Sequence, residues 1–432
     1  MRLFVSNILD LSFMKKILLL LSLFAFSAIA KPTGTYKIVV EGFDWGAGVN
    51  KVILALNDTT SKANAADYTV YASRKLSTGP IADQDTKREI VTAYVSDENG
   101  ARVRTGKNIT LVLAVGPQLP ISSPFQYLRS KGNVWVDYSL TIVQPRTGQI
   151  WDTSTGKIMP LIDQFDLTGK YVFNDKLTMS YATFTPKVKK DKAPLIIWLH
   201  GGGEGGTDPT VPLLGNKAAN YAGENIQSIF EGAYVLSPQC PGAWMHNTQG
   251  VGTQGKDNDI YNEGLMALIK DYVKANPGVD PSRIYVGGCS NGGYMALKLI
   301  FLNPDYFAAG FISALAYKSE YIPDSDIQKI KNVPIWFVHS KDDRTTIPDI
   351  TVVPVFDRLR KAGAKNAHFT YYDRVNDITN FYGGKGFEYN GHWSWVYLHE
   401  NLPRTDLDGS PVRVNGKPVT IMEWMAAQKK GK

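Results

Sequence analysis

The chain has 432 residues, of which 44% are hydrophobic and 11% aromatic, so it can bury a large core, and its length predicts two domains. The formal net charge of +7 is carried partly by residues 1–30, and the remaining excess forms no basic run, so nucleic-acid binding is not expected. Two cysteines exclude a disulfide-rich scaffold and a multi-cysteine metal site, and no metal or organic cofactor is expected.

The first thirty residues have the pattern of a signal peptide. Two lysines in residues 14–16 precede a short apolar run at 17–26, which ends in the small residues of 27–30. The apolar run is too short to span a membrane, and no other stretch of the sequence could cross one. The sequence therefore predicts cleavage after Ala30 and a secreted or periplasmic protein.

Residues 31–145 show short alternating strands and polar turns with no long helical period, which predicts an immunoglobulin-like β-sandwich. The first histidine of the chain is His200, so this domain is expected to be an accessory module. It would position substrate, shape one wall of a cleft or mediate assembly into a homo-oligomer. Residues 146–165 are predicted to be a linker. The predicted strands are 35–40, 51–56, 68–73, 88–95, 108–114 and 135–143.

The remaining residues, 166–432, alternate unbroken apolar strands with amphipathic helices. A leading hairpin is predicted at 171–173 and 177–183, and the clearest helix covers 259–275. This alternation predicts an α/β fold, a mostly parallel sheet with helices on both faces, whose ligands bind beyond the carboxyl ends of the strands. Further strands are predicted at residues 194–199, 233–236, 283–286, 307–312, 335–338 and 369–372.

A G-x-S-x-G motif, Gly288-Cys289-Ser290-Asn291-Gly292, lies between one of these strands and an amphipathic helix. A strand-to-helix corner is the context in which this motif exposes a nucleophilic serine. The glycines permit a turn that leaves no room for Cβ atoms. An ordinary glycine-rich turn is the alternative, but the context favours Ser290 as a nucleophile.

A serine nucleophile needs a base, and a carboxylate that orients the base; in this architecture the acid and then the histidine follow the serine along the chain. Asp342 and Asp343 follow the strand at 335–338, and Asp343 is preferred because the loop must first clear the sheet edge. The predicted base is His392, in a loop rich in glycine and aromatic residues. His368 and His399, the other histidines after Asp343, are expected to pack in the interior.

The third requirement is an oxyanion hole, made of backbone amides placed where negative charge develops. One donor is expected from Asn291, the residue after the nucleophile. The second is expected from the glycine-rich loop at 200–204, from Gly202 or Gly203. A phosphate-binding loop is the alternative, but the sequence lacks the Lys-Ser/Thr of a P-loop and the spacing of a dinucleotide fingerprint.

With these loops in place, the chain resembles the α/β-hydrolase serine esterases of the EstA type, which carry an immunoglobulin-like amino-terminal domain. Its catalytic part is also similar to the polyhydroxybutyrate depolymerases and the feruloyl and acetylxylan esterases. The resemblance implies an α/β-hydrolase fold and the triad Ser290, Asp343 and His392. The run from Asp343 to the next proline is one residue longer than usual, which keeps Asp342 as an alternative. The matching segments are VEGFDWG at 40–46, LHGGGE at 199–204, SPQCP at 237–241, the Ser290 motif, the Asp343 loop and GHW at 391–393.

The sequence thus predicts a secreted serine hydrolase that cleaves carboxylic esters through an acyl-enzyme on Ser290. Aromatic residues near the predicted site, among them Trp244 and Trp393, favour aryl or carbohydrate-linked esters, either small molecules or esters on a polysaccharide. Two alternatives remain. One is a serine peptidase of the prolyl-oligopeptidase type, which uses the same fold and triad. The other is a non-catalytic carbohydrate-binding or adhesion protein, whose triad would be damaged.

A disulfide between Cys240 and Cys289 is also predicted. An exported protein meets an oxidising compartment, in which two cysteines tend to pair. Each cysteine follows a predicted strand, Cys240 after 233–236 and Cys289 after 283–286, and these strands are expected to be neighbours. Two buried thiols are the alternative.

Overall fold

The computed structural model describes residues 33–77, 79–80, 84–129, 131–187, 191–256, 259–379 and 387–431. The predicted signal peptide lies outside the described residues, as does the part of the loop before His392 at 380–386. Within the described ranges, no helix is long and apolar enough to cross a membrane.

The amino-terminal domain is built from strands, most of which pair in antiparallel register. In the described part of the chain, nine of them form one hydrogen-bonded sheet in the order β4-β3-β10-β11-β1-β2-β7-β6, with β5 paired to β3, and β8 and β9 form a separate hairpin. The strands are β1 Gly34–Phe43, β2 Gly46–Thr60, β3 Thr69–Leu76, β4 Gly79–Pro80, β5 Thr86–Arg88, β6 Ile90–Ser96, β7 Gly106–Leu113, β8 Phe125–Leu128, β9 Gly132–Trp135, β10 Asp137–Gln144 and β11 Gln149–Ile158.

The strand β11 lies within the segment predicted to be a linker, so that prediction is wrong. It pairs with β10 on one side and, in parallel, with β1 on the other. Trp151 is 3% exposed, and its indole nitrogen donates to the carbonyl of Ala55 at 2.8 Å. Pro145 and Gly148 lie in the turn between β10 and β11. The boundary between the domains therefore follows β11.

The carboxyl-terminal domain contains the predicted α/β sheet. Within the described residues its strand order is β12-β13-β15-β14-β16-β17-β18-β19; β14 to β19 are parallel, whereas β12 and β13 form the antiparallel hairpin at one edge. The short strands β20 and β21 pair near the carboxyl terminus. The strands are β12 Asp166–Asn174, β13 Leu177–Phe184, β14 Ala193–Leu199, β15 Tyr234–Gln239, β16 Val279–Cys289, β17 Ala309–Ser313, β18 Ile335–Ser340, β19 Ala367–Tyr372, β20 Arg413–Val414 and β21 Lys417–Pro418.

Helices cover both faces of this sheet, which explains why the central strands are apolar on both sides. Along β14, Ile196 and Trp198 face one core, and Leu195 and Ile197 face the other. The first core contains residues of α1, α2, α7 and α8, and the second contains residues of α3 to α6. The helices are α1 Thr210–Gly215, α2 Glu224–Phe230, α3 Asn262–Ala275, α4 Asn291–Leu302, α5 Asp324–Ile330, α6 Val352–Lys361, α7 Trp395–His399 and α8 Ile421–Ala426.

The amino-terminal domain packs against the first of these faces, so that one core runs through both domains. Tyr36 and Trp151 belong to the same buried cluster as Trp198. Beside this core, the ammonium group of Lys217 donates to the buried carboxylate of Asp44 at 3.1 Å. The contact between the domains is therefore both apolar and ionic.

The two cysteines form no disulfide, and the predicted bond is wrong. Cys240 and Cys289 are free and fully buried. The strand that precedes Cys240, β15, is separated by β14 from β16, which ends at Cys289, so the two strands are not neighbours. The thiols also belong to cores on opposite faces of the sheet. Two thiols on opposite faces cannot approach bonding distance without rebuilding the sheet.

Candidate active site

Ser290 lies on a tight corner between β16 and α4, as the sequence predicts. Its backbone angles, φ 54° and ψ −117°, are strained for a residue that is not glycine, and its amide donates to the carbonyl of Ser313 at 3.0 Å. A Cβ on Gly288 would lie 2.6 Å from the backbone of Gly292, so both glycines are needed for this turn. Ser290 itself is partly exposed at the carboxyl end of the sheet.

His392 and Asp343 form a hydrogen-bonded pair. The carboxylate can only accept, so Nδ1 of His392 carries the proton and donates to Oδ2 of Asp343 at 2.8 Å. The hydroxyl of Thr346 donates to the same oxygen at 2.7 Å, and the amides of Thr345 and Thr346 donate to Oδ1 at 2.8 and 3.0 Å. Asp343 is 3% exposed. These bonds fix the carboxylate and, through it, the imidazole.

The loop that carries His392 is joined to the corner that carries Ser290. Ser313, whose carbonyl accepts the Ser290 amide, also hydrogen-bonds through its hydroxyl to that of Ser394 at 2.9 Å. Both hydroxyl groups are buried, and Ser394 lies two residues after His392. The serine and the histidine are thus held at the same edge of the sheet by one connected network.

His339 is a residue of this site that the sequence analysis did not single out. Its Nε2 lies 3.0 Å from Oδ2 of Asp343 and 2.9 Å from the carbonyl oxygen of Thr346, so this nitrogen carries the proton and donates. Burial alone would raise the pKa of Asp343, but the hydrogen bonds from His339 and His392 outweigh burial and hold it well below its usual range. The sequence signal for His339 is its position near the end of a buried strand, four residues before Asp343.

The alternatives to Asp343 and His392 lie elsewhere. Asp342 accepts a hydrogen bond from the hydroxyl of Ser340 and packs beneath Gly391, where a Cβ would lie 2.3 Å from its Oδ1. His368 hydrogen-bonds Asp406 at 2.9 Å. His399 is 1% exposed and packs on aromatic rings in the interior. Of the predicted candidates, the structure pairs only Asp343 and His392.

The loop after β14 brings Gly202 next to Asn291. A Cβ built on Gly202 would lie 3.8 Å from the Cβ of Asn291, and Gly202 is exposed. Among the described residues, the amide of Gly202 donates no hydrogen bond, whereas the amide of Gly201 donates to Oδ1 of Asn216 at 3.1 Å. Gly203 instead faces the amino-terminal domain, where its carbonyl accepts from the amide of Asn133 at 2.7 Å.

Glu204 is a buried carboxyl group at the end of this loop. Burial raises its pKa to about 7, against the opposing effect of hydrogen bonds from Asn133, Asn216 and the backbone of Gly203 and Gly201. It is 6% exposed, and the side-chain amide of Asn133 donates to its Oε1 at 3.1 Å. No local sequence pattern marks Glu204 as a buried acid, and one of its hydrogen-bond donors, Asn133, belongs to the other domain.

Trp244 and Trp393, the two predicted substrate-binding residues, have different environments. Trp244 is fully buried: its indole nitrogen donates to the carbonyl of His200 at 3.0 Å, and its amide donates to Oδ1 of Asn291 at 2.6 Å. It therefore supports the loops from inside and cannot touch a substrate in this structure, which corrects the prediction. Trp393 is partly exposed and packs beside Tyr389.

No group of three or more histidine, cysteine or acidic side chains within the described ranges is arranged to hold a metal ion.

Two family models match the chain. Residues 35–157 match the esterase Ig-like N-terminal domain, and residues 182–373 match the phospholipase/carboxylesterase family. The two matched segments are thus similar to an esterase Ig-like domain and to a phospholipase/carboxylesterase domain, respectively. This confirms the family and the fold class predicted from the sequence. Of the residues predicted for the triad and the oxyanion hole, His392 alone follows the matched segment.

Individual relatives agree with this assignment. Feruloyl esterase B from Neurospora crassa is 32% identical over 128 residues, which cover 30% of this chain and 41% of the length of that relative. The chain thus matches less than half of this curated protein. A solved structure described as a thermostable esterase superposes with a TM-score of 0.70 over 92% of this chain and 100% of its own, at 22% identity, which shows a shared fold. The match of residues 182–373 to the phospholipase/carboxylesterase family supports the predicted class of enzyme, a carboxylic ester hydrolase.

Proposed function

We propose that this protein is a secreted or periplasmic serine hydrolase that cleaves carboxylic esters through an acyl-enzyme on Ser290. The observation that carries the proposal is the 2.8 Å hydrogen bond between His392 and Asp343, in a loop joined to the strained corner of Ser290. A nucleophile, a base and a carboxylate that orients the base are the groups that acyl transfer by a serine requires. The signal-peptide pattern in the sequence of residues 1–30 supports the proposed location.

In the proposed reaction, the Nδ1–H group of His392 keeps its proton and donates a hydrogen bond to Asp343, so Nε2 is left to accept the proton of the Ser290 hydroxyl. The serine oxygen attacks the ester carbonyl carbon. The bond from that carbon to the alcohol oxygen then breaks, and His392 returns the proton to the leaving alcohol. A water molecule, deprotonated by His392, attacks the acyl-enzyme, the acid is released, and Ser290 regains its proton.

Asp343 has two roles in this cycle. Its hydrogen bond fixes the orientation and tautomer of His392, and its negative charge stabilises the imidazolium that forms in each half of the reaction. Because its pKa is held well below the usual range, it stays ionised at neutral pH and at the mildly acidic pH at which an ordinary carboxyl group begins to protonate.

The backbone amides of Gly202 and Asn291 are assigned as the donors that stabilise the negative charge on the carbonyl oxygen. Gly202 is preferred over Gly203 because it is exposed, lies next to Asn291 and keeps its amide free of acceptors among the described residues. Asn291 is the first residue of α4, where an amide has no acceptor within the helix. Fixed donors of this kind act where the charge forms and need no reorganisation.

Aryl or carbohydrate-linked esters, free or on a polysaccharide, are the proposed substrates. A cavity of about 600 Å³ lies beside Gly202, between the loop after β14 and the β8–β9 hairpin. Tyr127 lines this cavity with 59% of its surface exposed, and Trp393 is partly exposed next to His392. Exposed aromatic rings near the scissile bond favour flat rings of phenolic acids and sugars. The curated relative is itself named a feruloyl esterase.

The test compares hydrolysis of p-nitrophenyl acetate by the unmutated chain with that by Ser290→Ala and Asp343→Asn. We expect Ser290→Ala to lose several orders of magnitude in kcat, and Asp343→Asn roughly a thousandfold or more, because the base loses its orientation and its counter-charge. Asp342→Asn is the matched control, because among the described residues this neighbouring carboxylate accepts from Ser340 and forms no hydrogen bond with His392, and we expect its kcat to stay within a few-fold. Ester turnover that survives Ser290→Ala would refute the mechanism.

Substrate class is tested with feruloyl, acetylxylan and aliphatic esters beside a chromogenic peptide. Preference for long aliphatic esters would contradict the proposed substrates, and turnover of the peptide alone would contradict ester specificity.

A further inference from the structure

The β8–β9 hairpin of the amino-terminal domain touches the loop that contains Gly202. The amide of Asn133 donates to the carbonyl of Gly203 at 2.7 Å, and its side-chain amide donates to Oε1 of Glu204 at 3.1 Å. Gly132 packs so closely on the same carbonyl that an added Cβ would lie 2.3 Å from it. One residue from another domain therefore binds two consecutive residues of the loop, directly after Gly202.

Glu204 links Asn133 to buried residues of the hydrolase domain. Its carboxylate and the thiol of Cys289, the residue before Ser290, both lie beside Gly201. A Cβ built on Gly201 would be 3.0 Å from Oε2 of Glu204 and 3.5 Å from the sulfur of Cys289. Its backbone carbonyl accepts from the side chain of Gln239 at 2.9 Å. Because the carboxyl group is buried, loss of one of its donors is not made good by bulk water and weakens the contacts that hold the loop in place.

The hairpin is itself held rigidly. The guanidinium group of Arg74, which is 2% exposed, donates to the carbonyl of Phe125 at 2.6 Å, and the amide of Val136 donates to the carbonyl of Pro124 at 2.9 Å. Both contacts lie at the base of the hairpin, where it leaves the amino-terminal domain. Asn133 is thus presented by a fixed element, as a residue must be if it determines the position of another loop.

We propose that Asn133 is a positioning residue for ester hydrolysis, and that it holds the Gly202 amide at the place where the oxyanion forms. The inference rests on the proposed function, because it concerns the oxyanion hole assigned there. Asn133 touches no reacting atom: it acts through the Gly203 carbonyl and the Glu204 carboxylate. Its loss is expected to affect the transition state more than the bound substrate, because negative charge develops on the carbonyl oxygen only as the tetrahedral intermediate forms.

The experiment measures kcat and KM of the full chain with p-nitrophenyl acetate, for the unmutated protein and for Asn133→Ala. A misplaced oxyanion donor should lower kcat by roughly tenfold to a hundredfold and leave KM within about twofold. Affinity for a trifluoromethyl ketone, whose adduct mimics the tetrahedral intermediate, should fall by the same factor as kcat/KM.

The matched control is Thr210→Val. The hydroxyl of Thr210 accepts from the indole nitrogen of Trp135 at 3.1 Å and donates to Oδ1 of Asp208 at 2.6 Å. This variant therefore removes a hydrogen bond between the same hairpin and the same domain, together with one local bond, and neither bond involves the loop at 201–204. We expect its kcat and inhibitor affinity to stay within about twofold of the unmutated values. An equal loss in both variants would overturn the inference, because the effect would then belong to the domain contact in general.

A double variant makes the test independent of any loss of stability in Asn133→Ala. Asn133→Asp with Glu204→Gln exchanges donor and acceptor, so the new glutamine amide can donate to the new carboxylate. We expect either single variant to lose activity and the double variant to recover most of it. No recovery, or an unchanged kcat in Asn133→Ala, would overturn the inference alone. Absence of Ser290-dependent hydrolysis in the unmutated chain would overturn the proposed function and this inference together.

Discussion

His399 gives a quantitative prediction about stability in acid. It is 1% exposed, and its ring packs 4.5 Å from that of Trp198 and 5.2 Å from that of Tyr221, measured between centroids. Within the described residues, neither of its ring nitrogens has a hydrogen-bond partner. Burial, assisted by the positive charge of Lys217, lowers the pKa of His399 from 6.5 to about 3. A charged imidazole at this position therefore has nothing to stabilise it.

The sign and size of the effect follow from proton linkage. The unfolded chain binds a proton at His399 near pH 6.5 and the folded chain only near pH 3, so acidification between these values favours unfolding. Titration of His399 should lower the free energy of unfolding by about 2 kcal/mol between pH 7.5 and pH 5.0, because the loss is about 1.36 kcal/mol for each pH unit below 6.5. The full contribution is present above pH 6.5 and is lost progressively towards pH 3.

The assay is urea unfolding followed by tryptophan fluorescence at pH 7.5 and pH 5.0. His399→Phe keeps an aromatic ring and removes the titrating group, so the loss of unfolding free energy between the two pH values should be about 2 kcal/mol smaller than in the unmutated chain. Tyr221→Phe is the control, because it changes the same aromatic cluster without removing a group that titrates in this range. Equal pH dependence in His399→Phe and the unmutated chain would refute the reasoning.

Two further predictions concern the histidine loop and the thiols. Gly391→Ala places a methyl group 2.3 Å from Oδ1 and 2.8 Å from the backbone carbon of Asp342, so the loop must shift and move His392. We expect kcat to fall at least tenfold, because the base is displaced from the serine. An unchanged kcat would contradict this geometry. Cys240 and Cys289 should be unreactive in the folded protein, because burial raises the pKa of both thiols, yet give two free thiols by Ellman titration after denaturation without reductant. Detection of no free thiol would instead show that they are bonded.

The parts of the site that the sequence predicted are those encoded by local pattern and chain order. The glycines around Ser290 define the corner within five residues, and the corner forms because close backbone approach tolerates no side chain there. The choice of Asp343 over Asp342 depended on how far a loop extends past a strand, and the structure pairs Asp343 with His392. Neither inference required knowledge of which strands are neighbours.

The inferences that failed depended on strand order or on burial. The disulfide required β15 and β16 to be adjacent, but β14 lies between them and the two sulfur atoms face different cores. The prediction of a linker at 146–165 is wrong because Trp151 is buried and β11 pairs within the sheet. Trp244 was placed near the site correctly along the chain, but sequence proximity could not show that its ring points inward.

The amino-terminal domain was expected to be an accessory module because it contains no histidine, and that argument considers only groups that react. Asn133 reacts with nothing, yet it binds Gly203 and Glu204, next to the glycine assigned to the oxyanion hole. The contact joins residues about seventy positions apart in sequence, in different domains, so no local pattern could reveal it. A domain that fixes a backbone amide can contribute to catalysis as directly as one that supplies a side chain, because the stabilisation of the oxyanion depends on where that amide is held.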